Sequence, residues 1–309
     1  MVSTDPVGVV STELPATGFT YLGVNLTTPT LLTSRDTILS GVEVNTGIDL
    51  SSLEVGTAYA MEIVSGTYEG FCANIASWTG QALTLEEDIE AGGIDPASFD
   101  GSRISIKALP TLASIFGADN SAGLKAGTSV SADLIYLYSS GSFSKYYYFQ
   151  GGFGQDPEWR TLSGSPAGSV TIHFGDGVII ETKDSVAKQI TISGSVKVGP
   201  TNIPLYEGFN LVSNPSPVEG RLTLGNSGLK DGLKWGTSVD ADVVYIPSDS
   251  GGFDKYFYFQ GGFGQDPEWR AVTGGANSEN IPLPDSGSFF IERQSGESSV
   301  MITEDLPNP

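Results

Sequence analysis

Tyr148 to Arg160 reads YFQGGFGQDPEWR, and Tyr258 to Arg270 reads the same. The likeness extends outward. Lys145-Tyr146-Tyr147 answers Lys255-Tyr256-Phe257, and GTSVSADLIYLY from Gly127 answers GTSVDADVVYIP from Gly236. One module therefore occurs twice in the chain. The flanks have drifted while a loop-like Gly/Asp/Pro stretch has not, so the loop pair is the first place to look for function.

Working outward, GFTYLG at Gly18–Gly23 resembles GFNLVS at Gly208–Ser213, and prolines follow each, Pro29 in one copy and Pro215 and Pro217 in the other. In the second copy the chain then runs quickly to Leu233-Lys234-Trp235-Gly236. In the first copy a long stretch intervenes before Leu124-Lys125-Ala126-Gly127. An insertion accounts for the difference. The expected organisation is module A at residues 1–38 plus 109–195, an inserted unit at 39–108, and module B at 196–309.

Both modules read as strands. SADLIYLY, SKYYYFQ, PEWRTL, GVIIET and QITISGSV are short and rich in Val, Ile, Tyr and Thr, with Gly/Ser/Asp/Pro clusters between them. The 40 glycines and 17 prolines suit many tight turns. Only Thr111 to Gly117, TLASIFG, has helical spacing, with Leu112, Ile115 and Phe116 on one face. The insertion is strand-like too and short enough for a small closed barrel. The expected fold is all-β: two tandem homologous β-sandwich modules with a small β-barrel inserted in the first.

The chain of 309 residues carries 36 acidic and 15 basic side chains, a net charge of −21. Such a surface cannot neutralise phosphates, which excludes nucleic acid as a partner and disfavours anionic membranes. No apolar run is long enough to span a bilayer. The start, MVSTDPVGVV, shows neither a basic nor an apolar export region. Residues 39–108 hold eleven acidic and two basic side chains, so the insertion is the most acidic part. Cys72 is alone in the chain, which rules out an intrachain disulfide, and its apolar surroundings read as a small buried hydrophobe.

Chemistry-bearing patterns are few. His173 is the single histidine and has no counterpart in module B; no nucleophile elbow, metalloprotease helix or phosphate-binding loop occurs. Two carboxylates suffice for glycoside hydrolysis, but Asp156 with Glu158, and Asp266 with Glu268, read better as turn starts and solvated acids. Glu86-Glu87-Asp88 with Glu90, and Asp249 with Asp254, could hold at most a weak calcium site, and no other cofactor is implied. Tyr146 to Phe149 alternate faces along a strand, so half should be core. The other half, with Trp159 and Trp269, could form an exposed aromatic strip for a protein or a glycan.

Several motifs in order resemble a group of exported bacterial proteins found largely in Verrucomicrobia. They are the Thr4-Asp5-Pro6-Val7-Gly8 opening, Ser65-Gly66-Thr67-Tyr68-Glu69-Gly70, the Ala82-Leu83-Thr84-Leu85 region and Thr111 to Gly117. The paired YYYF…WR stretches follow, Tyr146 to Phe149 with Trp159-Arg160 and Tyr256 to Phe259 with Trp269-Arg270. Each half closes on an apolar strand, Gly177 to Glu181 and Gly287 to Arg293. The loop between YYYF and WR is longer here than in that group. The resemblance implies an extracellular, β-rich protein and no activity.

The expectation is a non-enzymatic structural protein of the cell surface whose partner is itself. The loop residues Phe153, Gln155, Asp156, Glu158, Trp159 and Arg160, and their counterparts Phe263, Gln265, Asp266, Glu268, Trp269 and Arg270, would form its interfaces. Val7, Val9 and Val10 in the first strand, and Val300 and Ile302 in the last, would join molecules head to tail into a filament or layer, because the A-to-B junction would leave a vacant counterpart at each end. A carbohydrate-binding surface protein and a phage virion or tail-fibre protein are the alternatives.

Overall fold

A computed structural model describes residues 6–302 except 36, 91, 92, 140, 153, 198, 217, 249, 263, 276 and 297. Module A opens with β1 (Val7–Leu14) and β2 (Gly18–Gly23). The inserted unit follows, with β3 (Thr30–Ser34), β4 (Ile38–Ser40), β5 (Glu43–Asn45), β6 (Tyr59–Ile63), β7 (Cys72–Thr79), β8 (Ala82–Leu85), the single turn α1 (Pro96–Phe99) and β9 (Ile104–Ala108). Module A resumes at α2 (Leu112–Phe116) and continues through β10 (Leu134–Ser139), β11 (Ser142–Phe149), β12 (Glu158–Thr161), β13 (Gly177–Thr182) and β14 (Lys188–Ser195). Module B holds β15 (Thr201–Leu205), β16 (Gly208–Ser213), α3 (Leu229–Gly232), β17 (Val243–Pro247), β18 (Phe253–Phe259), β19 (Glu268–Ala271), β20 (Ser288–Arg293) and β21 (Ser298–Ile302). The protein is all-β.

The two modules share one topology. Each sets a five-stranded antiparallel sheet, β12-β11-β10-β13-β2 or its equivalent β19-β18-β17-β20-β16, against a two-stranded ribbon, β1-β14 or β15-β21. Strand alternation supplies the core between these layers. In module A, Ile135, Tyr146, Tyr148, Val178 and Ile180 of the sheet meet Leu14 and Ile190 of the ribbon. In module B, Val244, Tyr256, Phe289 and Ile291 meet Leu205, Val300 and Ile302. Helix α2 has the expected apolar face. Thr111 accepts from the Ser114 N–H while Ser114 Oγ accepts from the Thr111 N–H, a capping box that starts the helix.

The inserted unit is a seven-stranded sheet in the order β3-β9-β6-β7-β8-β5-β4, not a closed barrel. It takes in β3, which the sequence reading assigned to module A. A flat sheet of this size would set its edges about 29 Å apart. Only residues 35–37 join edge strands β3 and β4, and they can span no more than about 14 Å. The sheet must therefore curl. Ser34 Oγ in β3 donates to Thr46 O, just past β5, yet no backbone ladder joins β3 to β4 among the described residues. Two three-residue strands at one edge are too short to carry the closing register.

The joint between the modules is a pseudo-two-fold. Leu22 bridges Gly287, and Val212, which occupies the place of Leu22 in module B, bridges Asp176, which occupies the place of Gly287 in module A. The Gly23 N–H donates to Ser286 O at 2.9 Å, and its equivalent, the Ser213 N–H, donates to Gly175 O at 2.8 Å. Side-chain-free positions permit this approach. A Cβ on Gly23 would lie 2.6 Å from Gly287 O, and one on Gly177 would lie 2.6 Å from Leu211 Cγ. Equivalent residues exchange roles across the joint, so the contact is isologous. It occupies the same patch on both modules and leaves no vacant counterpart at either end. The premise of head-to-tail growth through that surface is therefore overturned.

The terminal strands are also engaged within their own modules. β1 pairs along its length with β14, and β21 with β15. Val10, Val300 and Ile302 are buried in the cores, whereas Val7 and Val9 project outward, 78% and 66% exposed. Of the five proposed assembly residues, only these two are available to a partner.

Candidate functional site

The two identical loops share one geometry. Gly152 and Gln155 exchange both backbone hydrogen bonds at 3.0 Å, and so do Gly262 and Gln265. Each pair closes a two-residue reversal; Phe153 and Phe263 lie outside the described residues. Gly151 and Gly261 hold φ +85°, where a Cβ would be strained and would lie 3.1 Å from the ring of Pro157 or Pro267. The loop base is pinned to the other repeated stretch. The Gly127 N–H donates to Tyr148 O and the Gly236 N–H to Tyr258 O, each at 3.1 Å. That contact explains why GTSV accompanies the loop in both copies.

Arginine locks the loop from beneath. The Arg160 guanidinium lies 3.9 Å from the Phe149 ring centroid and donates to Glu158 Oε1 at 2.9 Å and Gln155 Oε1 at 3.0 Å. Arg270 repeats this over Phe259 at 3.7 Å, with Glu268 at 2.8 Å and Gln265 at 3.1 Å. Stacking plus a forked, charge-assisted contact fixes the guanidinium plane. Arg160 is buried and Arg270 half-buried. Gly152, Gly154, Gln155, Asp156 and Pro157 are exposed, as are their counterparts in module B.

The tryptophans do not belong to the exposed surface. Trp159 and Trp269 point into the cores, 2% and 0% exposed, which removes them as a glycan platform. On a strand, the residue before an outward arginine must point inward. Trp159 Nε1 donates to Gly117 O at 2.7 Å, at the end of α2. Module B has no helix at that place, and Trp269 Nε1 has no hydrogen-bond partner among the described residues.

The loops sit far from the joint. β2 and β13 form the joint at one side of the sheet, and β12 is the opposite edge. Phe143, near the start of β11, reaches Phe290 of module B, with centroids 6.5 Å apart. Phe149, at the other end of β11, leads into the loop roughly 20 Å further along the strand. The pseudo-two-fold places the second loop in the same relation to the joint, so the body carries one loop at each end.

The remaining candidates are dispersed. The backbone N–H of His173 donates to Asp176 Oδ2 at 2.9 Å, and burial pushes the Asp176 carboxyl up from its ordinary value. Cys72 is exposed as a residue, while burial pushes its thiol up to about 12 and its Sγ faces Gly70 O. Glu86 accepts from Asn74 Nδ2 at 2.9 Å and Glu90 from the Gly41 N–H at 3.1 Å, while Asp254 is exposed and Asp249 lies outside the described residues. No group of three metal-ligating side chains comes together among the described residues. A cleft of about 320 Å³ opens in module A between residues 23–29, α2 and β14; no ionisable side chain lines it. No described helix is long and apolar enough to cross a membrane.

No family model matches this chain, and neither the curated proteins nor the solved structures compared with it contain a match.

Proposed function

We propose that this is a non-enzymatic structural protein of the cell surface that self-associates through its two identical loops. One observation carries the reading: the same rigid, exposed loop sits at each end of a pseudo-two-fold body. A molecule with two like ends grows by like-to-like contacts into an open chain or layer, unless the rotation closes a ring. The extracellular setting rests on the resemblance to exported proteins. The strong negative charge fits it, because charge keeps separate molecules soluble until salt screens them.

Light scattering and electron microscopy across a concentration series test this. Ordered assemblies are expected, favoured by added salt. Replacing Phe153 and Phe263 together by Ser removes a large apolar side chain from each repeated stretch. It should disperse the assemblies while changing stability by no more than about 0.5 kcal/mol. A chain that stays monomeric throughout, or a double variant that assembles like the parent, would overturn the proposal.

A further inference from the structure

The outer face of each five-stranded sheet, the one turned away from its ribbon, carries a second repeated constellation. In module A it comprises Phe19, Tyr136, Phe143, Lys145 and Glu181. In module B the equivalent positions hold Phe209, Tyr245, Phe253, Lys255 and Glu292. All five residue types are unchanged between the copies. Their neighbours on the same face have drifted: Tyr21 becomes Leu211, Tyr138 becomes Pro247 and Ile179 becomes Phe290. Phe143 meets Phe290 and Phe253 meets Tyr21 across the joint, so the joint bears on that pair. It does not account for the retention of Phe19, Tyr136, Lys145 and Glu181 and their counterparts.

The geometry is repeated as well. Tyr136 Oη donates to Glu181 Oε2, and Tyr245 Oη to Glu292 Oε2. Lys145 Nζ lies 4.7 Å from the Tyr136 ring centroid and Lys255 Nζ 4.8 Å from that of Tyr245. Phe19 and Tyr136 meet edge to face with centroids 6.2 Å apart, as do Phe209 and Tyr245 at 5.4 Å. Phe19 is 57% exposed, Phe143 41% and Phe209 42%. Large rings held this far into water stabilise the monomer little, and their retention calls for a ligand.

We propose that each outer face is a binding site for a neutral polysaccharide, giving two equivalent sites per molecule. The exposed rings offer flat apolar surfaces to the C–H faces of sugar rings. The carboxylate and the lysine supply an acceptor and a donor for hydroxyls beside them, the mixture of apolar lining and few fixed polar groups that ligand sites use. Burial, with the Glu181 carboxylate as its hydrogen-bond acceptor, pushes the Tyr136 hydroxyl up to about 12, so it stays a proton donor at physiological pH. The net charge of −21 repels polyanions, which selects a neutral chain. Two sites on one rigid body give avidity towards a polymer, and a single molecule can bridge two strands.

The test uses the full chain and a panel of cellulose, chitin, xylan and mannan, with heparin as the anionic control. Retention on at least one neutral polymer and none on heparin is expected. Titration with the matching hexasaccharide should give two sites per chain. Phe19→Ala with Phe209→Ala should weaken binding at least tenfold with an unchanged melting curve, and Lys145→Ala with Lys255→Ala should weaken it too. Phe209→Ala alone should halve the stoichiometry and abolish polymer cross-linking. Failure to bind every neutral polymer overturns the proposal. So does a Phe19/Phe209 variant that keeps its affinity, or one that changes oligomeric state instead, which would make this face a protein interface. The loop variants above leave this face intact, so self-association and glycan binding fail or survive separately.

Discussion

Glu62→Ala is expected to destabilise the protein by about 3–5 kcal/mol, the cost of breaking a buried ion pair from one side. Glu62 lies on β6 of the inserted sheet and is 6% exposed. It pairs with Lys107 of the neighbouring strand at 2.8 Å and with Lys197, in the segment between the modules, at 2.5 Å. Lys197 is 7% exposed, and its other contacts are Pro200 O and the Phe174 ring, 5.9 Å from its Nζ. Alanine would strand that ammonium in the interior, whereas Lys107 can turn to solvent. The same place holds a backbone contact, the Asn202 N–H to Gly70 O at 3.1 Å. Among the described residues, the inserted sheet is thus fastened by one carboxylate to the segment between the modules and by one backbone hydrogen bond to β15 of module B.

Acid should release the same fastening. Burial alone would raise the Glu62 pKa, but Lys197 and Lys107 together outweigh it and hold the carboxyl below its ordinary value. The unfolded chain therefore protonates first as the pH falls. The contribution is complete above the ordinary glutamate value of about 4.3 and is lost as the pH drops through the lower folded value. Urea unfolding at neutral and acid pH should show a parent that loses this contribution and a Glu62→Gln variant that has none to lose. A variant within about 1 kcal/mol of the parent at neutral pH would show that the pair does not fasten the sheet.

The duplication, the strand content and the short helix within Thr111 to Gly117 were legible because each is a local pattern. Alternation put half of Tyr146 to Phe149 in the core without saying which; Tyr146 and Tyr148 face the ribbon, and Tyr147, expected with the exposed half, is buried on the other face. The same alternation sends Trp159 inward once Arg160 is known to point out, but which of the two faces the ribbon is a tertiary fact. Arg160 on Phe149 also explains the invariant loop: Gln155, Glu158 and Arg160 are one interlocked unit, so identity there reflects geometry as well as exposure. The isologous joint was not legible. It depends on which strand ends meet, and only scattered glycines such as Gly23, Gly177 and Gly287 mark the close approach. The open edge of the inserted sheet was equally hidden, because three-residue strands leave almost no periodicity. The retained outer-face set could have been found by aligning the two copies and asking which half-exposed residues had not drifted.

Asp133→Ala and Asp242→Ala should each cost about 3–5 kcal/mol, because each removes the charge that organises a buried turn in its module. Both carboxylates are buried, 1% exposed. Asp133 accepts from the backbone N–H groups of Lys125 and Lys183, each at 2.7 Å, and from Lys188 Nζ at 3.0 Å. Asp242 accepts from the N–H groups of Lys234 and Gln294, each at 2.8 Å, and from an Arg293 guanidinium nitrogen at 3.0 Å. One residue type thus does one task in both copies, tying the segment before the third sheet strand to the end of the fourth. Only the cation differs. Alanine leaves two buried N–H donors without that acceptor, while Lys188 keeps Asp184 and Gly123 O and Arg293 keeps Gly232 O and Gly296 O. Asparagine keeps the shape but turns an N–H₂ towards one of the donors, so it should recover only part of the loss. The two sites lie in separate modules and share no partner, so the double variant should lose about the sum of the single losses. Chemical denaturation of the four proteins measures this. Single losses under about 1 kcal/mol would mean that the backbone donors find other acceptors. A sum well short of additive would mean that the modules unfold separately, so that the weaker one sets the transition and masks the second lesion.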